Sequence, residues 1–223
     1  MEQVRIIEVK QSVFAANDRK ADELRKQLKE EGTFLLNVMS SPGSGKTTTL
    51  TGIINLLKQD YKIGVMEADI DSDVDARTIS KLTSVDAIQL HTGGMCHLDA
   101  GMTQQGIEGL QDRHYDLIIL ENVGNLVCPA EFDTGAVKNM CILSVPEGDD
   151  KPLKYPLMFQ MSDFVLINKI DVLDYFDFDM DKCKENIRYR NKEADIFEIC
   201  AKDGRGIEEV ADHIRKLMEE WRN

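Results

Sequence analysis

FLLNVMSSPGSGKTT, residues 34–48, decides the fold of this chain. An apolar run of strand length leads into a turn with two glycines, and KTTTL then opens a helix. Continuous rather than alternating apolar residues are what a strand covered on both faces requires. A glycine turn between such a strand and a helix is a phosphate cradle. Successive backbone N–H groups wrap the phosphates, and the helix N-terminus adds partial positive charge. Gly43 and Gly45 bring the backbone close, with Ser44 between them and Thr48 just beyond. Lys46 reaches the β and γ phosphates, and the Thr47 hydroxyl ligates Mg²⁺. The pattern G-x-x-x-x-G-K-S/T departs at its first glycine, where Ser40 stands. A small residue still fits there.

Outward from this stretch, short apolar runs alternate with helical stretches. The runs are KIGVMEA, DAIQLH, YDLIILEN, NMCILSV, DFVLINK and DIFEICA. This is the pattern of an α/β, doubly wound, mainly parallel sheet with helices on both faces. Residues 13–32 predict a short amphipathic N-terminal helix, with Phe14, Leu24 and Leu28 at helical spacing and Gly32 at its end. The expected division is an N-terminal helical extension, 1–33, and one nucleotide-binding domain, 34–223. The last helix, GIEEVADHIRKLMEEWR, puts Ile207, Val210, Ile214 and Leu217 on one face.

Composition narrows the partners. Forty acidic against 27 basic residues give a net charge of −13, which argues against a nucleic acid or an anionic membrane. The five cysteines are scattered, odd in number and without a C-x-x-C, as expected in a reducing cytoplasm. MEQVRIIEVK has no apolar core of signal-peptide length, and no stretch approaches a transmembrane span.

DFVLINKID carries Asn168-Lys169-Ile170-Asp171 at a strand end, about 120 residues after the phosphate loop. The Asp171 carboxylate can accept from both guanine N1 and the exocyclic amine, a donor pair adenine lacks, which selects GTP. Cys200-Ala201-Lys202 follows the last strand, where guanine-binding proteins often carry Ser-Ala-Lys. For Mg²⁺, the strand ends deliver Glu121, Glu67 and Asp69. Gly124 is placed to approach the γ-phosphate through its N–H and to move when that phosphate leaves. No glutamine stands ready to orient the attacking water, so Asp69 is the first candidate and Asp75 the second. The neighbouring Asp71 and Asp73 read equally well as a solvated face. Cys96 and His97 are adjacent in GGMCHLDA, residues 93–100, and by themselves read more readily as packing than as metal ligands.

In order, SSPGSGKTT, MEAD, GGMCHLDA, ENVGNLVCPAEFD, SVPEGDDKPLKYP and LINKIDVL resemble the hydrogenase nickel-incorporation GTPases, the HypB family, over roughly residues 34–222. The resemblance implies a P-loop NTPase fold, slow GTP hydrolysis to GDP and a nucleotide-promoted homodimer. It also implies delivery of Ni²⁺ to the large subunit of nickel–iron hydrogenase, with the zinc-binding accessory protein HypA as partner. Carried over residue by residue, the family's metal site falls on Cys96, His97 and Cys128. Two thiolates and an imidazole suit Ni²⁺ or Zn²⁺ better than Mg²⁺. The two loops follow neighbouring predicted strands at the nucleotide edge of the sheet. Cys128 comes four residues after Gly124, so movement of that segment would couple nucleotide state to metal geometry. The family's loops meet their symmetry mates, so two protomers could share the ion.

Two departures bear on this. MEQVRIIEVKQ holds neither the cysteine-rich nor the histidine-rich N-terminal motif of some members, which makes nickel storage an unexpected role. No further histidine follows CHLDA nearby, so loose metal binding is expected. Lys151 and Lys154 read in two ways: reaching a nucleotide across the dimer interface, or solvating a proline-stiffened loop. Cys141 and Cys183 read as packing. Three alternatives compete. The urease-directed GTPase UreG joins its ligands as Cys-Pro-His, unlike this chain. ATP-driven partitioning proteins carry a lysine where Ser41 stands. A GTP-gated metal carrier would bind GTP but turn it over negligibly.

Overall fold

The computed structural model describes residues 9–69, 74–112 and 114–223, the side chains of 9–13, 74 and 75 excepted. Asp71, Asp73 and the side chain of Asp75 therefore lie outside the described residues. The chain runs α1 (Val9–Glu31), β1 (Phe34–Ser40), α2 (Lys46–Leu57), β2 (Ile63–Asp69), α3 (Val74–Thr83), β3 (Asp86–His91), α4 (Ala100–Gly109) and β4 (Leu117–Glu121). It continues through α5 (Cys128–Glu131), β5 (Lys138–Ser144), α6 (Lys151–Lys154), α7 (Pro156–Gln160), β6 (Phe164–Asn168), α8 (Met180–Arg190), β7 (Asp195–Glu198) and α9 (Ile207–Arg222).

The strands form one seven-stranded sheet in the order β3-β2-β4-β1-β5-β6-β7, and every pairing is parallel. Strand β1 is completely buried, as its apolar run, interrupted only by the buried Asn37 before Ser40 ends it, leads one to expect. It sits between β4 and β5, where the winding changes direction, and the crevice at that switch point is where a doubly wound sheet binds its ligand. On one face, Leu36, Val38, Val65 and Ile119 pack against Leu50, Ile53 and Leu57 of α2 and Val210, Ile214 and Met218 of α9. On the other face, Leu35, Ile118 and Leu120 meet Leu24 and Leu28 of α1. The N-terminal helix thus covers the sheet with the side chains that its spacing singled out. No helix among the described residues is long and apolar enough to cross a membrane.

One expectation is corrected. The loops carrying Cys96 and Cys128 follow β3 and β4, which are consecutive in the chain but separated in the sheet by β2. At about 4.8 Å per strand, the loops themselves must close a gap of roughly 10 Å.

Candidate functional site

Gly45 precedes α2 with φ 97°, a left-handed conformation that a side chain resists. Space forbids one as well, since a Cβ there would lie 2.5 Å from Asn168 Nδ2. Lys46 Nζ stands 3.7 Å from Oε1 of Glu121, whose carboxylate is fully buried at the end of β4. Glu67, also buried, is the register partner of Glu121 on β2. Register partners on parallel strands share a face, so two buried carboxylates lie side by side. Such a pair needs positive charge beside it. Lys46 supplies one cation, and with the Thr47 hydroxyl the oxygen donors fit Mg²⁺. Asp69 ends β2 opposite His91, on the side away from β4, farther along the chain than Glu67. Gly124 lies against the phosphate loop: a Cβ on it would be 3.2 Å from Cγ of Pro42.

Asn168 joins the phosphate loop to the base loops. Its amide donates to the Ser44 carbonyl at 2.9 Å, and its Oδ1 accepts from the N–H groups of Lys169 at 2.7 Å and Ala201 at 3.1 Å. Lys169, itself left-handed at φ 64°, donates from Nζ to the Gly43 carbonyl at 2.6 Å. The first two residues of N-K-x-D therefore tie loops together, which leaves Asp171 as the candidate for base recognition. Beside them opens a cavity of about 270 Å³ lined by Gly45, Thr48, Asp171, Val172, Cys200 and Lys202 among others. Cys200 is 1% exposed, and burial together with bonds to Asp203 and Asp171 pushes its thiol above the ordinary range.

Glu147 is a residue the sequence reading missed. Its carboxylate caps the turn after β5 by accepting from the N–H and hydroxyl of Ser144, at 2.8 and 2.7 Å, and it also accepts from the Ser41 hydroxyl of the phosphate loop. Ser144-x-x-Glu147 is a capping box legible in sequence, but its reach to Ser41 is not. Lys154 pairs with Asp150 at 2.5 Å, and Lys151 lies over the Tyr155 ring.

The Cys–His segment is shaped by its own turns. Gly93 and Gly94 are both left-handed, and the Thr92 hydroxyl donates to the Met95 carbonyl at 2.6 Å. Asp99 caps α4 by accepting from the Met102 N–H at 2.8 Å, which accounts for the aspartate of CHLDA. Across from it, Cys128 opens α5. The neighbouring Cys128 thiol, with burial second, holds the free Cys96 thiol above the ordinary range, and Cys96 Sγ is 3.9 Å from His97 Nδ1. The His97 ring stacks on Phe132, with centroids 3.8 Å apart and planes at 8°. Burial lowers its pKa and so favours the neutral, ligating imidazole. Glu131 acts electrostatically on both Cys96 and His97. It was not among the expected residues, although its place three residues after Cys128 on a helix was the available signal. The structure brings the three expected ligands into one neighbourhood. Among the described residues, no three His, Cys, Asp or Glu side chains converge as a group able to hold a metal ion. Cys141 and Cys183 are wholly buried in the core, as expected.

Known proteins share this fold. Residues 34–198 match the family described as CobW/HypB/UreG, nucleotide-binding domain. The hydrogenase maturation factor HypB of Azotobacter chroococcum is 44% identical over 209 residues, 94% of this chain and 68% of that protein. The hydrogenase/urease maturation factor HypB of Helicobacter pylori is 40% identical over 96% of this chain and 89% of that protein. A crystal structure of HypB from Helicobacter pylori in complex with nickel superposes with a TM-score of 0.86 at 41% identity, covering 92% of this chain and 96% of that one. HypB from Archaeoglobus fulgidus gives 0.84 at 36% identity, covering 92% and 99%. The chain belongs to the HypB family of P-loop GTPases.

Proposed function

We propose that this chain is a cytoplasmic GTPase metallochaperone that binds Ni²⁺ or Zn²⁺ at Cys96, His97 and Cys128 and assists nickel insertion into nickel–iron hydrogenase. One observation carries the reading: Gly124, packed on Pro42 of the phosphate loop, is four residues from Cys128, which acts on the neighbouring Cys96. Nucleotide and metal sites thus share one short segment.

In this reading, the backbone of Gly43–Thr48 and Lys46 hold the phosphates, and Asp171 selects guanine beside Cys200, Ala201 and Lys202. Asp69 orients the attacking water. Thr47 and Glu121 with Asp69 would hold Mg²⁺, which when bound would neutralise charge on the phosphate oxygens. Lys46 stays beside Glu121 until a γ-phosphate offers the ammonium a second anion. When that phosphate leaves, Gly124 moves and carries Cys128 with it. Three ligands that approach one another without closing a full shell fit an ion shared between two protomers of a nucleotide-promoted homodimer. The partners are a HypA-like zinc accessory protein and the hydrogenase large subunit.

Nickel titration with the mass of the assembly measured in the GDP-bound and GTP-analogue-bound states tests this. Dimer formation and changed metal affinity with the analogue are expected; identical mass and affinity in both states would sink the coupling. Phosphate release with GTP and not with ATP is expected, and none above background would leave only the GTP-gated carrier. A second recipient is favoured by one finding, since the Helicobacter pylori relative is named for both hydrogenase and urease maturation.

A further inference from the structure

Helix α1 reaches both metal-bearing loops at once. Asn17, 6% exposed, accepts the Ala100 N–H on its Oδ1 at 3.0 Å and donates from its amide to the Asp133 carbonyl at 2.8 Å. Ala100 lies three residues after His97, and Asp133 five residues after Cys128. One side chain therefore spans the gap that the intervening strand β2 opens between the two loops.

Other contacts of the same helix reinforce the span. Arg25 forks onto Asp133, at 2.8 Å to Oδ1 and 2.7 Å to Oδ2, a bidentate pair that fixes direction as well as distance. It also donates to the Ala136 carbonyl at 3.3 Å. Leu24 packs so closely on Gly135 that a Cβ there would sit 2.7 Å from Leu24 Cδ2. Phe14 meets Phe132 at 4.9 Å, and Phe132 is the ring on which His97 stacks.

We infer that α1 is a clamp on the metal site, with Asn17 the positioning residue that sets the separation of the Cys96-His97 and Cys128 loops and Phe132 the platform that orients His97. The inference rests on the metal reading above. Groups that hold ligands in place are worth about 10–100-fold in metal affinity, and here they come from an element outside both ligand loops.

The test is Ni²⁺ titration of the reduced full chain, followed by the thiolate-to-nickel absorption band, for wild type, Asn17→Ala, Phe132→Leu and Cys96→Ser. Expected are a wild-type band weakened but still measurable in Cys96→Ser, where Cys128 remains, and affinity lower by about tenfold in Asn17→Ala. Phe132→Leu, which keeps the apolar volume, should alter the band. Thermal melting identifies any variant that fails to fold, and Phe132→Leu then carries the test. In a Cys96→Ser background, Asn17→Ala should cost no further affinity, whereas a general structural role would add its full effect. Wild-type affinity and an unchanged band in both clamp variants overturn the clamp alone. A wild-type titration without a thiolate band overturns the metal reading, and the clamp with it.

Discussion

The proposed guanine end and the proposed metal end of this sheet are built differently. At the guanine end, one buried residue of a core strand, Asn168, makes three bonds of 2.7–3.1 Å to the surrounding loops. At the metal end, half-buried Cys96 and Cys128 stand on loops that emerge from non-adjacent strands, and the loops are tied through α1 and by the stacking of His97 on Phe132. A site anchored in its own sheet is preformed before its ligand arrives. A site assembled across loops depends on whatever spans them, and can be reset by moving one loop.

The largest expected break in this contrast is Asp171→Asn. Two charge-assisted bonds at about 1.5–3 kcal/mol each correspond to roughly a 1,000-fold loss of GTP affinity. Preference should pass to xanthine nucleotides, and competition binding with GTP and XTP reads both; an unchanged GTP affinity would place the base elsewhere. Next come Cys96→Ala and Cys128→Ala. Each removes a ligand and should weaken Ni²⁺ and Zn²⁺ by about 100-fold, the upper end of what supporting groups alone cost, while GTP still binds. Equilibrium titration at wild-type metal affinity would remove the site.

Gly45→Ala sharpens the comparison from the other side. Left-handed strain of about 1–2 kcal/mol, and the displacement of Asn168, should lower GTP affinity about tenfold, with the metal titration unchanged. If nickel affinity measured without nucleotide falls in parallel, the phosphate loop acts on the metal end through the fold itself and not only through the bound nucleotide. The smallest effect is expected from Glu147→Gln, which exchanges a charged acceptor for a neutral one against Ser41 and Ser144. About 1 kcal/mol, or roughly fivefold in GTP affinity, is the expected loss.

The same contrast separates what was legible in the sequence from what was not. FLLNVMS and DAIQLH coincide with β1 and β3, and the phosphate loop and N-K-x-D lie where their local patterns put them. Each of these signals is carried by neighbouring residues, so periodicity and turn chemistry suffice. The insertion of β2 between β3 and β4 has no local signal, because chain order does not dictate strand order. Asn17, Phe132 and Glu147 escaped for the same reason: their distant partners are 83 to 116 residues away or depend on a ring meeting a ring. Helix α1 was anticipated over 13–32 and is observed from Val9 to Glu31, but its hold on the loops belongs to tertiary structure.

The contact of Gly124 with Pro42 also sets a length scale. Four residues of chain extend at most about 14 Å, so Cys128 is on a short tether from the phosphate loop. Any shift there of more than the slack in that tether must pull on the Cys96 thiol or break from it. If the proposed coupling runs through this tether, inserting residues at Asn125 is expected to leave GTP and Ni²⁺ binding intact and to abolish the dependence of one on the other.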